Sequence, residues 1–344
     1  MRHKVIVTDF ITDSLEPERS VLSDIADVIA LNATEEDDLV GNVEDAAALM
    51  VYHALFRLSR RTIDRLGACR IITRCGVGYD NIDLAAARQR SIPVTNVPDY
   101  GTEEVADSAI GMILALTRGI HELNSRTRAA HGDWKYLQAA PLYRLRGRTL
   151  GVLGLGRIGS AVAIRGKALG MRVMFYDPYI PDGCDKALGV TRIESLDELL
   201  AQTDVLTLHT PLTDETRHMI NERTLAKMKR GSYLVNTARG AIVDTGAIAD
   251  ALASGRLAGA GLDVLESEPP PADHPLIVAW RDPSHPAHHK LILNPHAAFY
   301  CEEGLTEMRI KGAQSCRRAL LGQPLRNVVN GVSCASPATA QKPS

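Results

Sequence analysis

Residues 149–177 hold the clearest chemistry in the chain. An apolar run at 150–153 suits a buried strand, and Gly154, Gly156 and Gly159 follow it in G-x-G-x-x-G spacing. In that spacing the first glycine allows a tight turn and the second lets backbone approach a pyrophosphate. The third lets the ensuing helix pack close to the strand. Arg157 and Ile158 open that helix, whose N–H groups and positive dipole end suit phosphate. Asp177 closes the next apolar run, where a carboxylate accepts hydrogen bonds from a ribose hydroxyl. It would repel a 2′-phosphate, and the following Pro178 and Tyr179 offer no cation to receive one. The pattern predicts a bound dinucleotide, with NAD preferred over NADP.

Three later segments set ionisable groups just past strand-like runs, at the end where open α/β sheets bind ligands. They carry Arg239 before Gly240, then Asp263 with Glu266 and Glu268, then His296 after Pro295. This places them for a reaction beside a nicotinamide. Taken singly, Arg239 could pair with a structural carboxylate, His296 could cap a helix, and Glu268 could be a solvated loop acid with Glu266 as its rival.

Positioning these groups needs alternating strands and helices. Strands are expected at 4–8, 28–30, 48–51, 70–74 and 93–95, with helices such as 59–66 and 84–90 between them. A further set is expected at 149–153, 172–176, 205–209, 233–236, 258–262 and 291–293. This alternation predicts an α/β protein with parallel sheets flanked by helices. Residues 102–130 read as one long helical stretch, with Thr102 as N-cap and Val105, Ala109, Met112, Ile113 and Leu116 on a buried face. A last helix at 304–321 follows the final strand and can return to the first domain. The expected division is a discontinuous substrate domain, 1–100 plus 298–332, a nucleotide-binding domain, 101–297, and a disordered tail, 333–344. The segment 269–289, with its prolines and four histidines, reads as a stiff surface loop, because its histidines lack regular ligand spacing. No metal is expected.

The 344 residues, 45% hydrophobic and 23% charged, suggest about two globular domains. A formal net charge of −2 gives no reason to expect nucleic acid or an anionic membrane as partner. No apolar run is long enough to span a bilayer. The six cysteines show no paired spacing, which fits a reducing cytoplasm.

In these motifs the chain resembles the D-isomer-specific 2-hydroxyacid dehydrogenase family over nearly its whole length. The resemblance rests on residues 154–159, on Asn236-Thr237-Ala238-Arg239-Gly240, on Gly261-Leu262-Asp263-Val264 with Glu268-Pro269, and on Pro295-His296. Within the family it looks most similar to the C-terminal-binding-protein branch, through residues 74–83, 175–179 and 266–269. It implies two Rossmann-like doubly wound domains with an active-site cleft between them, a small 2-keto or 2-hydroxy acid substrate, and a homodimer with an arm at 118–148. His296 would be the acid–base residue, Glu268 its orienting carboxylate, and Arg239 the anchor for the substrate carboxylate. Thr102, His209, Thr210, Pro211, Thr216, Thr237, Ala238 and Asp263 would join the glycines at the coenzyme, Asp263 toward the carboxamide. His53, Arg74, Gly76, Val77, Gly78 and Phe299 would line the substrate, the glycine turn through its N–H groups. Phe299 departs from the branch, whose vertebrate corepressors carry tryptophan there, so substrate identity does not transfer. The alternative to a 2-keto acid reductase is an NAD(H)-sensing, corepressor-like scaffold with little turnover.

Overall fold

The computed structural model describes residues 2–52, 56–129 and 134–332. The chain divides into two compact units, Met1–Gly101 with Cys301–Ser344, and Thr102–Tyr300.

The first unit is built on β1 (His3–Val7), β2 (Ala26–Ala30), β3 (Ala48–Val51), β4 (Ile72–Arg74) and β5 (Val94–Asn96). They pair in parallel in the order β2-β1-β3-β4-β5. This is the flavodoxin-like variant of the doubly wound sheet. β3, β4 and β5 are buried at every position, as expected of strands covered on both faces. On one face Ile6, Leu49, Ile72 and Val94 pack with Leu39, Ile63 and Ile82. Against the other lies the helix Glu302–Leu320, so close that a Cβ on Gly312 would fall 2.5 Å from the Cys75 sulfur.

The second unit holds β6 (Thr149–Leu153), β7 (Arg172–Tyr176), β8 (Thr191–Arg192), β9 (Val205–Leu208), β10 (Ser232–Asn236), β11 (Leu257–Leu262) and β12 (Leu291–Leu293). Their order is β12-β11-β10-β9-β6-β7-β8, the Rossmann arrangement extended by one strand. The order reverses between β6 and β9, and ligands bind at the carboxyl ends of strands at such a switch point. The helix Thr102–Thr117 lies against β10 and β11. Gly259 and Gly261 make room for it: added Cβ atoms would come within 2.9 Å of Leu116 and 3.1 Å of Met112.

Three expectations about elements change. The edge strand β8 was not anticipated; it has two residues, neither of them buried. The helical stretch expected over 102–130 is two helices, Thr102–Thr117 and Ile120–Arg128. The break is at Gly119, whose φ is +61° and whose added Cβ would meet Ala139 at 2.8 Å. The expected surface loop at 269–289 contains the helices Pro275–Arg281 and Ala287–Lys290. Its histidines serve them: His274 Nδ1 accepts from Leu276 N–H, His285 Nδ1 accepts from Ala287 N–H, and His288 Nδ1 meets Trp280 O at 2.8 Å. No helix among the described residues is long and apolar enough to cross a membrane.

Candidate active site

At the switch point the glycines divide the work between them. Gly154 has φ +90°, and a Cβ there would come within 2.9 Å of His209 backbone atoms. A Cβ on Gly159 would fall 2.0 Å from Gly154 O, so the helix Arg157–Ala168 sits directly on the turn. A Cβ on Gly156 would meet nothing within 4 Å. Gly156 is also the N-cap of that helix, with no side-chain cap bond. The turn thus leaves an open approach to Arg157, Ile158 and the helix end. Asp177 ties the turn to β7: Oδ2 accepts from Leu155 N–H (2.9 Å) and Oδ1 from Tyr179 N–H (3.0 Å).

The opposite side of the turn is formed by the loop after β9. Burial pushes His209 down to about 3, so it is neutral, and its Nε2 meets Thr207 Oγ1 at 2.8 Å. Thr216 closes the loop by donating to Pro211 O at 2.7 Å. The hydroxyls of Thr210 and Thr237 are buried without a hydrogen-bond partner among the described residues. Buried polar atoms of this kind call for a partner. With the open face at Gly156, they fit a dinucleotide lying along Gly154–Gly159, Asp177, His209–Pro211, Thr216, Thr237 and Ala238.

Beyond β10, β11 and β12 three turns converge. Asn236, fully buried, braces the first: its Nδ2 donates to Arg239 O (2.8 Å) and its Oδ1 accepts from Ala238 N–H (3.0 Å). The Arg239 guanidinium lies over the same turn, with Nη1 donating to Ala238 O at 2.8 Å. His296 has φ +53°, an uncommon conformation for a residue with a side chain. Asp263 holds it there. The Asp263 carbonyl accepts from His296 N–H at 2.7 Å, and its carboxylate oxygens accept from Ala297 N–H (2.9 Å) and Ala298 N–H (3.0 Å). Ser108, on the helix Thr102–Thr117, adds a bond to Ala298 O at 3.1 Å.

So placed, His296 Nδ1 meets Glu268 Oε2 at 2.7 Å, and Glu268 Oε1 accepts from Leu265 N–H at 2.9 Å. Burial would raise the Glu268 carboxyl, but the bond and charge of His296, the Leu265 N–H and the Arg239 charge outweigh it. The net shift is downward. Asp263 goes the other way: desolvation dominates its two N–H bonds and raises its carboxyl. Phe299 stands edge-on to His296, with ring centroids 6.4 Å apart. Glu266, the rival acid, bonds to His218 and Thr245 instead.

In the first unit, Arg74 ends β4 and donates to Cys75 O. A Cβ on Gly76, at φ +155°, would fall 2.0 Å from Arg74 Nη1. The Gly76 N–H donates to Arg74 O at 2.9 Å. In the turn expected to aim N–H groups at a carboxylate, the Gly76 N–H is thus engaged by the chain itself. His53 lies outside the described residues. Among the described residues no group of three or more histidines, cysteines or acids is placed to hold a metal.

Sequence patterning missed Asn236, Ser108 and the bracing role of Asp263. Their types were visible, but their partners are backbone groups, in the adjoining turn for Asn236 and on distant segments for Ser108 and Asp263.

The NAD-binding domain model of the D-isomer specific 2-hydroxyacid dehydrogenases matches residues 110–298. The D-3-phosphoglycerate dehydrogenase of Methanocaldococcus jannaschii is 35% identical over 95% of this chain, which spans 59% of that relative's length. The glyoxylate reductase of Korarchaeum cryptofilum is 42% identical over 76% of both chains. The crystal structure of D-lactate dehydrogenase from Aquifex aeolicus, complexed with NAD and lactic acid, matches with a TM-score of 0.82 and 31% identity, covering 92% of this chain and 96% of that one. The chain therefore belongs to the D-isomer-specific 2-hydroxyacid dehydrogenase family, oxidoreductases acting on the CH–OH group.

Proposed function

We propose that this protein is an NAD-dependent D-2-hydroxyacid dehydrogenase working mainly as a reductase of small 2-keto acids. The observation that carries it is the 2.7 Å His296–Glu268 pair, with the Arg239 charge felt at the same carboxylate. A nicotinamide coenzyme, when bound, supplies the hydride that the keto carbon receives. Arg239 holds the substrate carboxylate, its planar fork matching a bidentate anion. Glu268 fixes the ring at Nδ1 and favours the imidazolium, so Nε2 gives the proton to the carbonyl oxygen as that oxygen gains charge. Arg239 and the imidazolium stabilise that charge before the proton arrives. In the oxidative direction His296 takes the hydroxyl proton. On the resemblance, Arg74, Gly76, Val77, Gly78, His53 and Phe299 are assigned to the substrate and Thr102 to the coenzyme.

Asp177 supports a preference for NAD, since its carboxylate opposes a 2′-phosphate. Asp177→Ala should narrow the gap between NADH and NADPH dissociation constants, and an unchanged ratio would place discrimination elsewhere. A homodimer is supported by exposed apolar side chains near residues 118–148, where Trp134 is 90% and Tyr136 78% exposed, and exposed apolar surface of this kind marks contact sites. A cytoplasmic setting is supported by Cys69, Cys75, Cys184 and Cys316, whose thiols form no disulfide among the described residues.

The test is NADH oxidation against glyoxylate, hydroxypyruvate, pyruvate and bulkier 2-keto acids. Turnover of about 1–1,000 per second on one of them is expected, and His296→Ala should lower it by about 100- to 10,000-fold with NADH binding retained. Barely detectable turnover with NADH-dependent assembly would favour the sensing scaffold. Full activity in His296→Ala would remove the acid–base assignment.

A further inference from the structure

The loop that carries Glu268 is fastened by a second carboxylate with no part in the chemistry above. Both Glu266 oxygens are engaged. Oε1 accepts from Thr245 N–H (3.2 Å) and from its hydroxyl (2.9 Å), and Oε2 meets His218 Nε2 at 2.7 Å. Thr245 Oγ1 also lies 3.4 Å from His274 Nε2. The backbone N–H of His218 donates to Ala241 O at 2.8 Å, inside the turn that follows Arg239.

The backbone at Glu266 reaches the same turn. A Cβ on Gly240 would lie 1.9 Å from Leu265 C, 2.0 Å from its oxygen and 2.5 Å from Glu266 N. Only glycine lets this peptide rest there. The preceding N–H, that of Leu265, is the one donated to Glu268 Oε1. A single short stretch thus touches the Arg239 turn on one side and the carboxylate facing His296 on the other.

We propose that Glu266 is a positioning residue for the reaction: by tying residues 264–268 to Thr245 and His218, it fixes Glu268 relative to Arg239 and His296. This rests on the acid–base reading of Glu268 and His296 given above. The charged or titratable groups facing Glu266 are His218 and, through Thr245, His274. Those acting on Glu268 are His296 and Arg239, and Glu268 in turn acts on Asp263.

Glu266→Ala, Glu266→Gln, Thr245→Val and His296→Asn, each in the full chain, are compared with wild type. The readouts are NADH-linked keto-acid reduction across pH, NADH dissociation constants and thermal melts. Glu266→Ala should lose about 10- to 100-fold in kcat, the scale of a misplaced catalytic group, with NADH affinity held within about twofold. The acid limb of kcat/KM should move to higher pH, because a loosened Glu268 loses the contacts that keep it ionised. Glu266→Gln keeps an acceptor for Thr245 and should recover part of the loss. Thr245→Val should move the same limb less, and it carries the test should Glu266→Ala not fold. Wild-type kcat and an unmoved acid limb in the folded variants would overturn the proposal. Full activity in His296→Asn would instead overturn the acid–base reading beneath it.

Discussion

Glu268 and Asp263 show how one loop gives two carboxylates opposite behaviour. At Glu268 burial is opposed and exceeded by His296, the Leu265 N–H and Arg239, so the carboxyl titrates below the ordinary 4.5. A depressed carboxylate adds stability that is complete above its unfolded value and is lost as pH falls through the folded value. Glu268→Gln should therefore melt with a weaker acid dependence than wild type below about pH 4.5. It should also lose about 100-fold in kcat, since a neutral amide no longer favours the imidazolium. Parallel melts from pH 3 to 7 with steady-state kinetics check both, and an unchanged kcat would detach Glu268 from the chemistry. At Asp263 burial wins, so its charge opposes folding at neutral pH, yet it is kept where two backbone N–H groups need acceptors. The sequence presented Glu266 and Glu268 as near-equivalent acids two positions apart. The resemblance chose Glu268, and the structure supplies the physical reason: Thr245 and His218 hold Glu266, while His296 meets Glu268.

At the scale of elements, the strand–turn–helix at 149–168 was readable because glycine leaves so specific a mark. The three glycines nevertheless differ in what they protect. Gly159 protects the fold, since its Cβ would sit 2.0 Å from a backbone oxygen, whereas Gly156 has open space around it. Gly159→Ala should lower the melting temperature by several degrees, in line with an overpacking cost of about 1–3 kcal/mol. Gly156→Ala should melt like wild type but bind NADH at least about tenfold more weakly, because the lost space is the approach to the helix end. Calorimetry with NADH titration separates the two, and equal effects on melting would refute the division. Buried strands such as β3 and β6 were legible from their apolar runs. The edge pair β8 was not, because two half-exposed residues carry no period, and the break at Gly119 was hidden because the apolar spacing continues up to it.

At the scale of the whole chain, the first unit depends on residues near both ends. The type of the helix Glu302–Leu320 was legible, but its anchor was not, because Arg309 and Glu18 stand 291 residues apart. Arg309 is 3% exposed and Glu18 fully buried. Arg309 Nε and Nη2 meet the two Glu18 oxygens at 2.7 and 2.8 Å, while Nη1 takes Asp13 at 3.0 Å. The Tyr52 hydroxyl, which burial and its acidic neighbours keep protonated, donates to Glu18 Oε1 at 2.6 Å. Such a pair adds little over an apolar packing, but removing one member strands the other without water. Arg309→Met should therefore destabilise the first unit by about 3–5 kcal/mol. Adding Glu18→Gln should restore part of the loss, as the buried charge is gone. NADH affinity should survive in both, because the residues assigned to the coenzyme belong to the second unit. Urea unfolding followed by circular dichroism, alongside NADH titration, reads these effects separately. If Arg309→Met unfolds like wild type, the pair does not anchor the helix. If the double variant is worse than the single, the cost lies in lost packing rather than in a stranded carboxylate.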